Sequence, residues 1–175
     1  DEKILSKIFG KNTAFVKNLA LGIDERPVIT NSKPKSIGKE ITFSKDLSGY
    51  DTCRQQLLFL SGLVGYRLRT KGYYGQTLTL KIKYADFRII TRSITSESDI
   101  FCDEDIYNLA KQLLSSVNLS QAVRLLGITI SGLHKGKSNA FSFTEDSRRQ
   151  RRNEVTDNLK ERFGEKIIFR GSRYG

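Results

Sequence analysis

Lys81 and Lys83 stand two residues apart in a segment, 76–84, that alternates between polar and apolar residues, and Arg88 and Arg92 follow at even spacing in the next segment. A strand period of two puts Thr77, Thr79, Lys81 and Lys83 on one face, and Leu78, Leu80, Ile82 and Tyr84 on the other. Arg88 and Arg92 share one parity, and no acid occupies the matching positions of this hairpin. Cations at strand spacing suit one chemistry, the meeting of a row of phosphates or another polyanion. The competing reading is an ordinary solvated basic face.

Other chemistries are poorly supplied. His134 is the sole histidine, and Cys53 and Cys102 have no C-x-x-C spacing. One His and two separated Cys fall short of a zinc site and argue against a Cys–His nucleophilic pair. Both cysteines read as unpaired thiols of a reducing compartment. Asp103, Glu104 and Asp105 cluster at a helix start, where they read as cap and macrodipole partners rather than metal ligands. No catalytic residue, metal ligand or cofactor is expected among these residues.

The 175 residues hold 30 Lys plus Arg against 19 Asp plus Glu, a formal charge of +11, the balance of a protein that meets a polyanion, nucleic acid first among them. No apolar run reaches the roughly 18 residues of a membrane span, and the N-terminus has no signal-peptide pattern. A cytoplasmic monomer with no membrane partner is expected.

The elements that must position the cations follow from periodicity. Residues 2–8 and 13–21 read as two short helices, stopped by Gly22, whose apolar residues exceed what such a pair can bury; they read as the end of a larger helical unit. A polar stretch with Pro27 and Pro34 reads as a linker. Residues 37–44 read as a strand. A long helix follows, capped by Ser48, with Tyr50, Cys53, Leu57, Leu60, Val64 and Leu68 on its buried stripe before Lys71-Gly72. Strand 76–84 turns at Ala85-Asp86 into strand 87–94, which puts Phe87 and Tyr84 on the inward parity. A second helix, 103–114, has Asp103 as cap and Ile106, Leu109, Ala110 and Leu113 as its stripe, and 123–131 is the fourth strand. The order β-α-β-β-α-β predicts an α+β fold, a four-stranded antiparallel sheet with two helices on one face and the other face open. A tail helix, 145–163, has Val155, Leu159 and Phe163 as a narrow stripe, with Arg148, Arg149, Arg151 and Arg152 read as a solvated face.

Several stretches, taken in order, resemble a known family. Phe9-Gly10 with Leu19-Ala20-Leu21-Gly22-Ile23-Asp24-Glu25-Arg26-Pro27-Val28 is similar to the end of the thumb in Y-family translesion DNA polymerases of the DNA polymerase IV type. Lys35-Ser36-Ile37-Gly38-Lys39-Glu40 resembles their linker into the little-finger domain; Tyr84-Ala85-Asp86-Phe87, Thr91-Arg92-Ser93 and Arg124-Leu125-Leu126-Gly127-Ile128 resemble that domain's strands. The resemblance implies a division into a thumb end (1–28), a linker (29–36), a DNA-binding little finger (37–133) and a tail (134–175). It implies a parent enzyme that inserts nucleotides opposite damaged template bases with two magnesium ions, held by palm carboxylates that lie upstream of these residues.

For this segment the resemblance implies grip on the template-primer duplex. Carried over position by position, the DNA contacts are Lys35, Ser36, Gly38, Thr91, Arg92, Ser93 and Arg124; the face argument adds Lys81, Lys83 and Arg88. Arg124 shares parity with the inward Leu126 and Ile128, so that only a bulged or frayed strand start turns it outward. Family members often carry a sliding-clamp peptide, Gln-x-x-Leu-Phe, after this domain. Here the place reads Asn139-Ala140-Phe141-Ser142-Phe143, keeping the terminal Phe without Gln or Leu, either a degenerate clamp-binding peptide (Asn139, Phe141, Phe143) or a plain linker. Two competing readings are a stand-alone ferredoxin-like nucleic-acid-binding module, perceptibly short of stacking aromatics on its strands, and a sheet-dimerising structural or sensing protein, against which the one-signed charge counts.

Overall fold

The computed structural model describes residues 2–30, 32–136, 145–164 and 167–168 of the 175. The chain divides into two units, Asp1–Lys33 and Pro34–Gly175.

The first unit is helical: α1 (Glu2–Phe9), a 3₁₀ turn (Gly10–Asn12) and α2 (Thr13–Ala20). Neither helix buries any residue, and Ile4, Ile8, Phe9, Phe15 and Leu19 stay exposed. Two eight-residue helices are too short to close a core between themselves.

The second unit runs β1 (Ser36–Leu47), α3 (Tyr50–Thr70), β2 (Gly75–Tyr84), β3 (Ile89–Ile100), α4 (Asp103–Ser115), β4 (Val123–Ser131) and α5 (Glu145–Phe163). The strands form one antiparallel sheet in the order β1-β4-β2-β3. Helices α3 and α4 cover one face, as the alternation in β2 and the stripe of α3 require. Cys53, Leu57, Leu60, Val64 and Leu68 of α3, together with Ile106, Ala110, Leu113 and Leu114 of α4, pack on Leu78, Leu80, Ile82, Tyr84, Leu126, Ile128 and Ile130 of the two central strands.

Several local expectations are corrected. Strand β1 reaches Leu47, and α3 begins after Gly49 rather than from a Ser48 cap. Gly49 has φ +84, which a side chain disfavours, and it makes no side-chain cap. The N-cap position of α4 is Cys102, and the Asp103 carboxylate, one residue inside the helix, pairs with Arg69, 2.8 Å away.

The β2–β3 turn is longer than the expected two residues. Phe87 N–H donates to the Tyr84 carbonyl and Tyr84 N–H to the Arg88 carbonyl, with Phe87 in the left-handed region at φ +68. This is a turn followed by a one-residue bulge, and it restarts pairing at Lys83 with Ile89. A one-residue slip of that kind sends every β3 side chain to the face opposite the one counted from sequence.

Helix α5 also inverts its expected orientation. Of the anticipated apolar stripe, Val155 and Phe163 are exposed and Leu159 is half-buried, while Asn153 (3% exposed) and Asp157 (9%) face inward. Helix α5 therefore docks through a polar stripe, led by the fork of Arg69 on Asp157 and supported by Arg149 on Asp105 and Arg152 on Glu104. Among the described residues no helix is long and apolar enough to cross a membrane.

Candidate nucleic-acid interface

The sheet register assigns each strand residue to a face. Four rows cross the face away from α3 and α4: Ser36–Ser131–Thr77–Thr95, Gly38–Thr129–Thr79–Ser93, Glu40–Gly127–Lys81–Thr91 and Thr42–Leu125–Lys83–Ile89. The alternate rows face the helices: Ile37–Ile130–Leu78–Ile94, Lys39–Ile128–Leu80–Arg92 and Ile41–Leu126–Ile82–Ile90. The open face is thus dominated by short hydroxyl side chains, with two lysines in its lower half. Thr77 and Thr95 share a hydrogen bond of 3.0 Å, and Thr79 and Ser93 one of 2.9 Å, so the hydroxyls are held in cross-strand pairs.

Of the residues singled out from sequence, Ser36, Gly38, Lys81, Lys83, Thr91 and Ser93 share this open face. Gly38 lies too close to Thr129 and the Ile128 carbonyl to accept a side chain. Lys35 is exposed just before β1. Arg92 is corrected: the bulge at Phe87 places it opposite Leu80 on the helix-side parity, at the edge strand, where its Nη1 donates to the Thr91 carbonyl. Arg88 is corrected as well, since it belongs to the turn. Its backbone N–H donates to Asp86 Oδ1, its Nη2 donates to Gln121 Oε1 at 3.1 Å, and its guanidinium lies 4.8 Å from the Tyr84 ring centroid.

Arg124 sits where the register of β4 shifts against both neighbours, between Thr42/Leu47 and between Lys83/Tyr84. The irregular strand start that could turn it outward is therefore present. Its Nη2 donates to Asp46 Oδ2 at 3.1 Å, and its guanidinium lies 5.0 Å from the Phe87 ring centroid. Asn139, Phe141 and Phe143 lie outside the described residues.

Two residues missed from sequence stand out. Glu40 brings both carboxylate oxygens to 3.0 Å from Lys81 Nζ, so the open face is not one-signed across the whole sheet. The signal was Gly127, because a glycine inside a strand marks a close approach: a Cβ there would come within 2.7 Å of Glu40 Cγ. Phe87, expected inside, is 58% exposed and carries Lys83 Nζ 4.4 Å from its ring centroid.

Residues 34–150 match the impB/mucB/samB family C-terminal domain. The chain belongs to that family. It is 38% identical over 169 residues to the DNA polymerase IV of Desulfatibacillum aliphaticivorans, an alignment that covers 93% of this chain and 43% of the relative. It is 42% identical over 130 residues to the DNA polymerase IV of Desulfotalea psychrophila, covering 74% and 35%. An insertion ternary complex of Dbh DNA polymerase has a TM-score of 0.52 at 18% identity, over 78% of this chain and 39% of that one, which supports the fold. The chain spans less than half the length of these relatives.

The family match disfavours the free-standing ferredoxin-like module, since the alignment with a polymerase extends over nearly the whole chain. Among the described residues no group of three or more His, Cys, Asp or Glu side chains is arranged to hold a metal ion, and no step of chemistry is assigned to these residues.

Proposed function

We propose that this chain is the duplex-gripping C-terminal part of a translesion DNA polymerase, with the open sheet face laid along the template-primer backbone. The observation that carries this reading is the face itself: Lys81 and Lys83 stand among ordered rows of Ser and Thr, with Arg124 at one end. Hydroxyls and cations contact phosphate oxygens without reading bases, which suits an enzyme that must accept any template. In this reading Lys35, Ser36, Gly38, Thr91 and Ser93 contact the backbone directly, and Arg88 and Arg92 approach it from the turn and the sheet edge. Magnesium and nucleotidyl transfer belong to other residues of a cytoplasmic parent enzyme that works as a monomer, with the stretch at Asn139, Phe141 and Phe143 as a degenerate clamp-binding peptide.

The test is titration of a labelled template-primer duplex with the chain over a range of salt. Four to six phosphate contacts give a slope of log affinity against log salt of about −4 to −5, at roughly 0.9 per contact. Salt-insensitive binding, or marked preference for one sequence, would overturn the grip. Magnesium-dependent primer extension by the chain alone would overturn the assignment of catalysis to other residues.

A further inference from the structure

Phe87 occupies a backbone position that its side chain opposes. The bulge after the β2–β3 turn needs φ near +68, a conformation in which Gly or Asn is at ease and a bulky residue is an outlier. Burial does not compensate for this, because the ring is 58% exposed. A bulky residue kept where the fold would be served by Gly or Asn is strain of the kind that concentrates at working surfaces. The ring's contacts supply the work: Lys83 Nζ lies 4.4 Å and the Arg124 guanidinium 5.0 Å from its centroid. Two like charges gathered on one ring repel each other, and the negative face of the ring is what draws both in. Asp46 answers part of the Arg124 charge at 3.1 Å, while Arg124 Nε is buried with no hydrogen-bond acceptor. Among the described residues no carboxylate neutralises Lys83.

We propose that Phe87 is a positioning residue, whose ring holds Lys83 and Arg124 as a preorganised two-cation clasp for the phosphate backbone of duplex DNA. The inference rests on the grip reading above and adds a residue that touches no phosphate itself. Without the ring, both long side chains remain able to reach phosphate, but each must be ordered at the moment of binding. Loss of the ring therefore lowers affinity while leaving the number of phosphate contacts, and so the salt slope, unchanged.

The experiment compares the chain with its Phe87→Asn and Phe87→Tyr variants, titrating one labelled duplex at several salt concentrations and measuring thermal unfolding. Phe87→Asn, which suits the left-handed backbone, is expected to bind about 3- to 10-fold more weakly at every salt concentration, with a parallel salt line and a melting temperature no lower than that of the parent. Phe87→Tyr, which keeps the ring, recovers most of the loss. Unchanged affinity in Phe87→Asn overturns the clasp and leaves the grip standing. Equal weakening in Phe87→Tyr, or a loss of affinity that tracks a fall in melting temperature, also overturns it. Absence of salt-dependent binding in the parent chain is a different result, which removes the grip reading and the clasp with it.

Discussion

Glu40 on β1 and Lys81 on β2 are joined across an intervening strand, both carboxylate oxygens standing 3.0 Å from the ammonium above Gly127 of β4. Adjacent strands lie about 4.8 Å apart, so residues two strands away meet only with long side chains and an empty middle position. The carboxylate lies against the Lys81 ammonium, where under the proposed grip a phosphate oxygen would lie. Under that reading Glu40 is an internal competitor for Lys81, the central cation of the face.

Replacing the competitor should strengthen the grip. Glu40→Gln is expected to raise duplex affinity and to steepen the salt slope by about one unit, as Lys81 becomes free to neutralise a phosphate. Both side chains are substantially exposed, so the ion pair contributes only about 0–1 kcal/mol to stability. Titration over salt, with thermal unfolding beside it, checks both. An unchanged slope would mean that Lys81 meets no phosphate.

The same masking separates the two lysines. Lys83→Ala removes an unmasked cation and is expected to flatten the slope by about 0.9 unit. Lys81→Ala removes one already neutralised by Glu40 and also releases that carboxylate, so affinity should fall with a smaller change of slope. Slopes measured for the two single variants in one buffer series decide the order.

The core was legible in the sequence because its signal is redundant: the alternation in 76–84 and the stripe from Cys53 to Leu68 each repeat many times. The face of β3 was not, because it depends on one backbone angle. Counting parity through an assumed two-residue turn puts Arg92 outward, and a single extra residue at Phe87 exchanges it for Thr91 and Ser93. Glycine would have announced that bulge, and phenylalanine conceals it. Helix α5 failed for another reason. Its apolar residues are too few to define a stripe, and what orients it is an arginine 88 positions earlier in the chain, a partner that periodicity within the helix cannot reveal.

The two cysteines report on the integrity of the core. Burial pushes the Cys53 thiol up to about 11. Burial first, and then the Asp105 charge, push Cys102 up to about 12. Neither should react with a disulfide-exchange reagent near neutral pH until the chain unfolds. The folded state holds these protons more tightly than the unfolded one, whose thiols titrate near 9.0. Their contribution to stability is therefore fully present below about pH 9 and is lost as pH rises through 11 to 12. Rapid native-state labelling at pH 7, or denaturation midpoints that rise over the alkaline range, would contradict this.

Arg69 is where α3, α4 and α5 are tied together. Its Nε and Nη2 form a fork on Asp157 at 2.7 and 3.0 Å, and its Nη1 donates to Asp103 at 2.8 Å and to the Phe101 carbonyl at 3.0 Å. Burial works against the guanidinium charge, but the Asp157 and Asp103 carboxylates outweigh it and raise its pKa above the ordinary value. Removing the cation strands two largely buried carboxylates, so Arg69→Met is expected to cost about 3–5 kcal/mol in denaturant unfolding. Arg69→Lys should recover little, since an ammonium cannot reproduce the fork. Neutralising the partners as well, with Asp103→Asn and Asp157→Leu added to Arg69→Met, should restore most of the loss, because the main cost is the unpaired charge rather than the missing bond. Hydrogen exchange locates the effect. Helix α5 has almost no apolar face of its own, so in Arg69→Met its amides should exchange as in a free helix while β2 and β4 stay protected. Protection of α5 that persists without Arg69 would show that Arg149, Arg152 and buried Asn153 suffice to dock it.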